Sequence, residues 1–175
     1  MFLDKLCKTN PNLIQIAVHM HQQEQIMPDT YVVDVDQFLE NAKAILQKAN
    51  EQNIELYYML KQIGRNPYLA KELEKIGYKG AVVVDFKEAE VMMKNQLHIA
   101  HAGHLVQIPS MMVNRLVAYG CDYVTVYSYE KLVEVNEAAK KIGMIQKVCV
   151  RVIGENDRIY SGQTAGFYLN QLEEL

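Results

Sequence analysis

Between residues 54 and 153, short β-rich runs alternate with amphipathic runs, and three of the amphipathic runs stop at a glycine. Ile54 to Leu60 is an apolar run ending in Lys61. Asn66-Pro67 then opens a helical pattern through Leu69, Leu73 and Ile76 that stops at Gly77. Ala81 to Val84 reads as a second strand with Asp85 at its end, followed by a helix from about Lys87 to Asn95. A third strand runs from Ile99 to Leu105, with a helix from near Pro109 to Gly120. A fourth runs from Tyr123 to Tyr127, with a helix from about Tyr129 to Gly143, and a fifth from Lys147 to Ile153. Strands alternating with helices of this length predict βαβ units, and therefore a parallel sheet.

Upstream the pattern is less regular. Asn10 is placed to cap a helix that has Pro11 at its first position and Leu13, Ile14, Ile16, Ala17 and Met20 along it, and Pro28-Asp29 breaks it. Tyr31 to Val35 reads as a strand. Asp36 is placed to cap the next helix, whose Phe38, Leu39, Ala42, Ile45, Leu46 and Ala49 recur at helical spacing.

No G-x-G-x-x-G or G-x-x-x-x-G-K-[ST] loop follows any of these strands, which weakens the dinucleotide-binding and P-loop versions of a parallel sheet. A barrel and an open doubly wound sheet both remain consistent with the periodicity. A net charge of -3 gives no electrostatic case for nucleic acid or an anionic membrane. No apolar run reaches about 18 residues and the N-terminus lacks the apolar segment of a leader, so the expectation is a cytoplasmic chain without a membrane span. Three cysteines, Cys7, Cys121 and Cys149, without clustered spacing argue against a disulfide framework, and Cys121 and Cys149 read as small buried hydrophobes. Met92-Met93 and Met111-Met112 read as core filler, and His19-x-His21 as solvated surface.

In α/β barrels reactive groups sit at the carboxyl ends of the strands. Those positions hold Lys61, Asp85, His101 or His104, Ser128, and Arg151 or the Gly154-Glu155-Asn156-Asp157 segment after it. A lysine between an apolar strand and a glycine-containing loop is a candidate for partial desolvation, which lowers an amine's pKa and frees it to condense with an aldehyde. By position alone, the commoner reading is a strand-end lysine returning to water. His101-Ala102-Gly103-His104 lacks the surrounding ligands of a metal site and suits a hydrogen-bonding or proton-transfer role better.

Four blocks in order carry a resemblance: Tyr31-Val32-Val33-Asp34-Val35-Asp36, Lys61-Gln62-Ile63-Gly64-Arg65-Asn66-Pro67, Gly103-His104-Leu105-Val106-Gln107-Ile108-Pro109 and Tyr160-Ser161-Gly162-Gln163. With them the chain resembles the alanine racemase N-terminal domain family, the fold-type-III pyridoxal 5'-phosphate (PLP) enzymes, and within it the YhfX-type branch. The resemblance implies an α/β fold, a partial PLP-binding (β/α)8 TIM-type barrel of about five parallel strands over residues 1–175. The later strands and a C-terminal β-domain are then expected to lie outside the chain. It implies Lys61 as the lysine that binds PLP as a Schiff base, with Arg65 and His104 as further cofactor-binding residues. It also implies an amino-acid substrate, with Lys61, Arg151 and His104 as catalytic candidates. Arg151 falls where racemases of this fold often carry a lysine, and an arginine orients a carboxylate or phenolic oxygen better than it removes a proton. The reading that follows is a racemase-like protein, incomplete by itself and completed by a homodimer partner or a complementary chain. The alternatives are a non-catalytic PLP carrier and an inactive fragment that only associates with such a chain.

Overall fold

The computed structural model describes residues 2–154, 157 and 165–169. Within them the chain forms two units, residues 1–47 and 48–175.

The first unit holds α1 (Phe2–Thr9), α2 (Pro11–Gln22) and most of α3 (Val35–Glu51). Asn10 caps α2 as expected: its side-chain oxygen accepts from the Leu13 N–H at 3.1 Å, with Pro11 in the first turn. The expected strand at Tyr31–Val35 does not form, and Val35 already belongs to α3. Asp34, not Asp36, caps that helix, because its Oδ1 accepts the Gln37 N–H at 3.0 Å and satisfies one of the orphan donors of the first turn. The Asp34 carboxyl is held below the usual carboxylate range, first by that N–H and then by the Asn10 side-chain amide.

In the second unit four strands, β1 (Ala81–Val83), β2 (Ile99–Ala102), β3 (Tyr123–Val126) and β4 (Lys147–Val150), pair in parallel in the order β1-β2-β3-β4. Helices α4 (Pro67–Ile76), α5 (Phe86–Lys94), α6 (Ser110–Tyr119) and α7 (Tyr129–Lys141) alternate with them. Strand order that follows chain order without reversal is the order around a barrel; a doubly wound sheet reverses at a switch point. The expected strand Ile54–Leu60 shrinks to one parallel bridge, Tyr58 with Ala81. There the Tyr58 N–H donates to the Gly80 carbonyl at 3.0 Å and the Val82 N–H to the Tyr58 carbonyl at 2.8 Å. At the other side Lys147–Ile153 is interrupted at Arg151, whose N–H donates to the Val126 carbonyl at 3.1 Å while its carbonyl accepts from Phe167 at 2.8 Å. Beyond it β5 (Val152–Ile153) pairs in parallel with β6 (Phe167–Tyr168), a further strand position that the sequence pattern did not separate.

Register sets the two faces. Val83, Ala102, Val124 and Val148 are aligned across the sheet; the first three are at most 1% exposed, on the face covered by the helices. Leu69, Met92, Leu116 and Val135 join this core, each contributing about 1.5–3 kcal/mol by leaving water. Met112 is buried as expected, but Met111 is exposed, since adjacent helical positions face about 100° apart. The opposite face carries Val82, His101, Tyr123 and Lys147 in register, with the Lys147 ammonium 5.5 Å from the Tyr123 ring centroid. Cys121 is buried, which pushes its thiol up to about 12, so it is an inert packing residue.

Candidate active site

The segment after Tyr58 is a turn built to end one approach and begin a helix. Leu60 is buried, and Lys61–Ile63 makes a single 3₁₀ turn in which the Leu60 carbonyl accepts from both Ile63 (3.1 Å) and Arg65 (3.0 Å). Gly64 (φ 70°) and Arg65 (φ 56°) are both left-handed, and Asn66 caps α4 by accepting from Tyr68 and Leu69. Lys61 therefore stands on a tightly hydrogen-bonded turn at the carboxyl side of the Tyr58 bridge. It is exposed, as a strand-end lysine returning to water is. Condensation with an aldehyde here would depend on placement rather than on burial.

Below this turn lies a charged chain. The Arg65 Nη2 pairs with Asp85 Oδ2 at 2.9 Å; Asp85 Oδ1 caps α5 by accepting the Glu88 N–H at 2.8 Å; and Glu88 Oε2 accepts the Val84 N–H at 2.9 Å. Glu88 is only 1% exposed. Burial pushes its carboxyl above the usual range, while the N–H groups of Val84 and Leu60 and the Arg65 charge pull it back. The Arg65 Nε is buried and has no partner among the described residues. A buried donor without an acceptor is a costly arrangement in the folded chain alone.

The next strand ends form a second group. His101, half-buried on β2, bonds through Nε2 to the buried Thr125 hydroxyl. The His101 and His104 rings are 5.6 Å apart at 70°. Burial, and then the neighbouring His104, hold the His101 imidazole below its ordinary pKa. His104 is exposed just after the strand, and its carbonyl and that of Gly103 accept from the Tyr127 hydroxyl at 2.7 and 2.8 Å. Gly103 has φ 83°, and a Cβ there would sit 3.1 Å from the Thr125 carbonyl. The Arg151 guanidinium lies over the Tyr127 ring, 5.1 Å from its centroid. Burial raises the Tyr127 phenol, and Arg151 opposes that.

The expected candidates thus occupy one end of the sheet. Lys61, Arg65 and Asp85 belong to the first group, and His101, His104 and Arg151 to the second. Ser128 has a structural task, capping α7 through the Lys131 N–H. Of the Gly154–Asp157 segment, the Gly154 N–H donates to the Asp157 carboxylate at 2.7 Å; Glu155, Asn156 and the Tyr160–Gln163 block lie outside the described residues. The sequence reading passed over Glu88, Thr125 and Tyr127. Only Glu88 carried a local signal, an Asp85-x-x-Glu88 capping pattern ahead of an apolar face.

The donor set fits PLP on its own chemistry: an accessible primary amine for the aldehyde, an arginine with an orphaned buried N–H beside it, and a second arginine and two imidazoles at the neighbouring strand ends.

A family model described as the alanine racemase N-terminal domain matches residues 33–159. The chain is 48% identical along its whole length to the uncharacterized protein YhfX of Escherichia coli (strain K12), and it spans 45% of that relative's length. Among solved structures, it resembles a D-threonine aldolase from Filomicrobium marinum with a TM-score of 0.65 at 19% identity, over 82% of this chain and 37% of that one. It also resembles a diaminopimelate decarboxylase from M. jannaschii with a TM-score of 0.63 at 18% identity, over 87% and 38% respectively. At such identities these two likenesses bear on the fold, which they identify as part of a TIM-type barrel.

Proposed function

Since the chain belongs to the alanine racemase N-terminal domain family, a family of PLP-enzyme type, we propose that it binds PLP covalently through Lys61 and presents it to an amino acid. The observation that carries this reading is the placement of Lys61: an exposed amine on a hydrogen-bonded turn at the carboxyl side of the sheet, four residues before an arginine whose buried Nε has no acceptor among the described residues. When bound, PLP supplies an electron sink that makes the α-proton of an amino acid removable.

The roles of the chain's own groups follow from their chemistry. The Lys61 amine would hold the cofactor at its aldehyde carbon, and, when free, its nitrogen would be a base at that position. Arg65 offers its Nε–H to an anionic oxygen while Asp85 holds its other end. His101 stays neutral at physiological pH and is therefore a hydrogen-bonding group rather than a cation. His104, exposed beside it, is the more accessible proton carrier. Arg151, fixed over the Tyr127 ring, suits a substrate carboxylate or phenolic oxygen and is a poor base.

That last point favours a second reading, a PLP carrier without turnover, because a racemase needs an acid–base group on each side of the α-carbon. The chain spans less than half the length of its curated relative, and a homodimer partner or a complementary chain is part of this reading. The flank of α7 beside β4, where Val133 and Ile145 are open to solvent, is where such a neighbour would pack. The three free cysteines fit a reducing cytoplasm.

Visible absorbance on mixing the full chain with PLP, compared with Lys61→Ala, tests the cofactor reading. A band that survives in Lys61→Ala contradicts it. Exchange of the amino-acid α-proton in deuterated water then divides enzyme from carrier.

A further inference from the structure

We propose that Asp85 is a positioning residue for the Lys61 turn: one carboxylate caps α5 and holds the Arg65 guanidinium, and so fastens the turn that carries the lysine to the carboxyl end of β1. The inference rests on the cofactor reading and names what holds that site in place. Each link is a hydrogen bond of ordinary length. Asp85 Oδ1 accepts the Glu88 N–H at 2.8 Å, which fixes the carboxylate at the start of α5. Its Oδ2 accepts from Arg65 Nη2 at 2.9 Å. The Arg65 N–H in turn donates to the Leu60 carbonyl at 3.0 Å and closes the turn around Lys61–Ile63. The two residues that bracket the turn are therefore bonded to each other, and one of them is bonded to α5. The β-ladder does not make this connection, since the bridge on that side is Tyr58 with Ala81, three residues before Lys61.

An ion pair whose side chains are 32% and 26% exposed adds little stability, and a pairing of that kind alone would be an ordinary surface contact. Two features of Arg65 go beyond it. Its backbone is left-handed, with φ 56°, a conformation that costs any residue with a Cβ. Its Nε is buried and has no acceptor among the described residues, although Nη2 is engaged. A guanidinium free to swing would turn that N–H to water; the hold of Asp85 on Nη2 keeps it inward. Backbone strain and an unsatisfied donor in one residue are tolerated where the surroundings fix it for a task. Here the task is to keep the turn and its N–H in place for an anionic ligand beside Lys61. Precise placement matters most where the amine has no burial to activate it.

The test separates the two tasks of Asp85 in the full chain. Serine caps a helix as well as aspartate does but is too short to reach Arg65, so Asp85→Ser keeps the cap and releases the guanidinium. Glutamate reaches Arg65 but is a poor cap, so Asp85→Glu does the reverse. Each protein is mixed with PLP and reduced with borohydride, and the share of label on Lys61 relative to the other lysines is mapped. Exchange of the Arg65 Nε–H with water is followed by NMR without PLP. The expected result for Asp85→Ser is a roughly tenfold fall in the preference for Lys61, faster Nε–H exchange and a melting midpoint near wild type. Asp85→Glu should melt lower and keep the preference. Asp85→Asn, whose single acceptor oxygen is taken by the cap, should match serine and replaces it if serine does not fold. Wild-type preference in Asp85→Ser, unchanged Nε–H exchange, or an equal loss of preference in Asp85→Glu overturns the inference. A wild-type chain with no preference for Lys61 overturns the cofactor reading instead, and the Nε–H exchange still decides whether Asp85 holds Arg65.

Discussion

Arg151 and Tyr127 are stacked, guanidinium over phenol ring at 5.1 Å, and the phenol is itself pinned by its hydroxyl to the backbone of Gly103 and His104. One aromatic side chain therefore couples the ends of β2, β3 and β4. Tyr127→Phe keeps the ring under Arg151 but leaves two carbonyls without their donor. It should destabilise the second unit by about 1–2 kcal/mol in urea titrations. No measurable change would mean that water replaces the hydroxyl and that the coupling is weak.

The His101 imidazole, held below its ordinary pKa by burial and by His104, makes stability pH-dependent with a definite sign. The folded chain prefers the neutral ring, so the unfolded chain binds more protons as the pH falls. This contribution is fully present above about 6.5, the unfolded value, and is lost as the pH drops through it towards the folded pKa. His101→Asn, which can still bond to Thr125, should remove that acid sensitivity. Melting midpoints of the two proteins should therefore diverge as the pH falls from about 6.5 towards the folded pKa and run parallel above that range. Parallel curves throughout would contradict the burial argument.

Gly103 joins His104 to β2 in a conformation that L residues rarely adopt, with its would-be Cβ close to a backbone oxygen of β3. Gly103→Ala should cost about 1–2 kcal/mol from the left-handed backbone alone, and it should shift the His104 ring resonances in an NMR spectrum. A neutral substitution would show that the β2–β3 spacing relaxes freely.

The legible part of this molecule was the period. Apolar alternation around Val83, Val124 and Val148, with glycine stops at Gly77, Gly120 and Gly143, gave four strands and their helices with ends displaced by a few residues at most. Two expected strands, Ile54–Leu60 and Tyr31–Val35, depart from this pattern. Ile54–Leu60 has β-forming residues, but its ladder reduces to Tyr58, and Tyr31–Val35 yields to the cap that Asp34 offers α3. In the site, a lysine, two arginines and two histidines are conspicuous by type. Glu88 is not, because a glutamate in the first turn of a helix looks solvated, and nothing in its spacing shows that its carboxylate turns inward. Likewise the pattern cannot say that Lys61 is exposed, since that depends on how the 3₁₀ turn leaves the sheet.

The central claim is that Lys61 is the lysine that holds PLP. Borohydride reduction of the full chain mixed with PLP, followed by peptide mapping, tests it most directly. The account predicts one dominant modified peptide containing Lys61, and no peptide taking its place in Lys61→Ala. Label spread evenly over the exposed lysines, or unchanged total incorporation in Lys61→Ala, would contradict it.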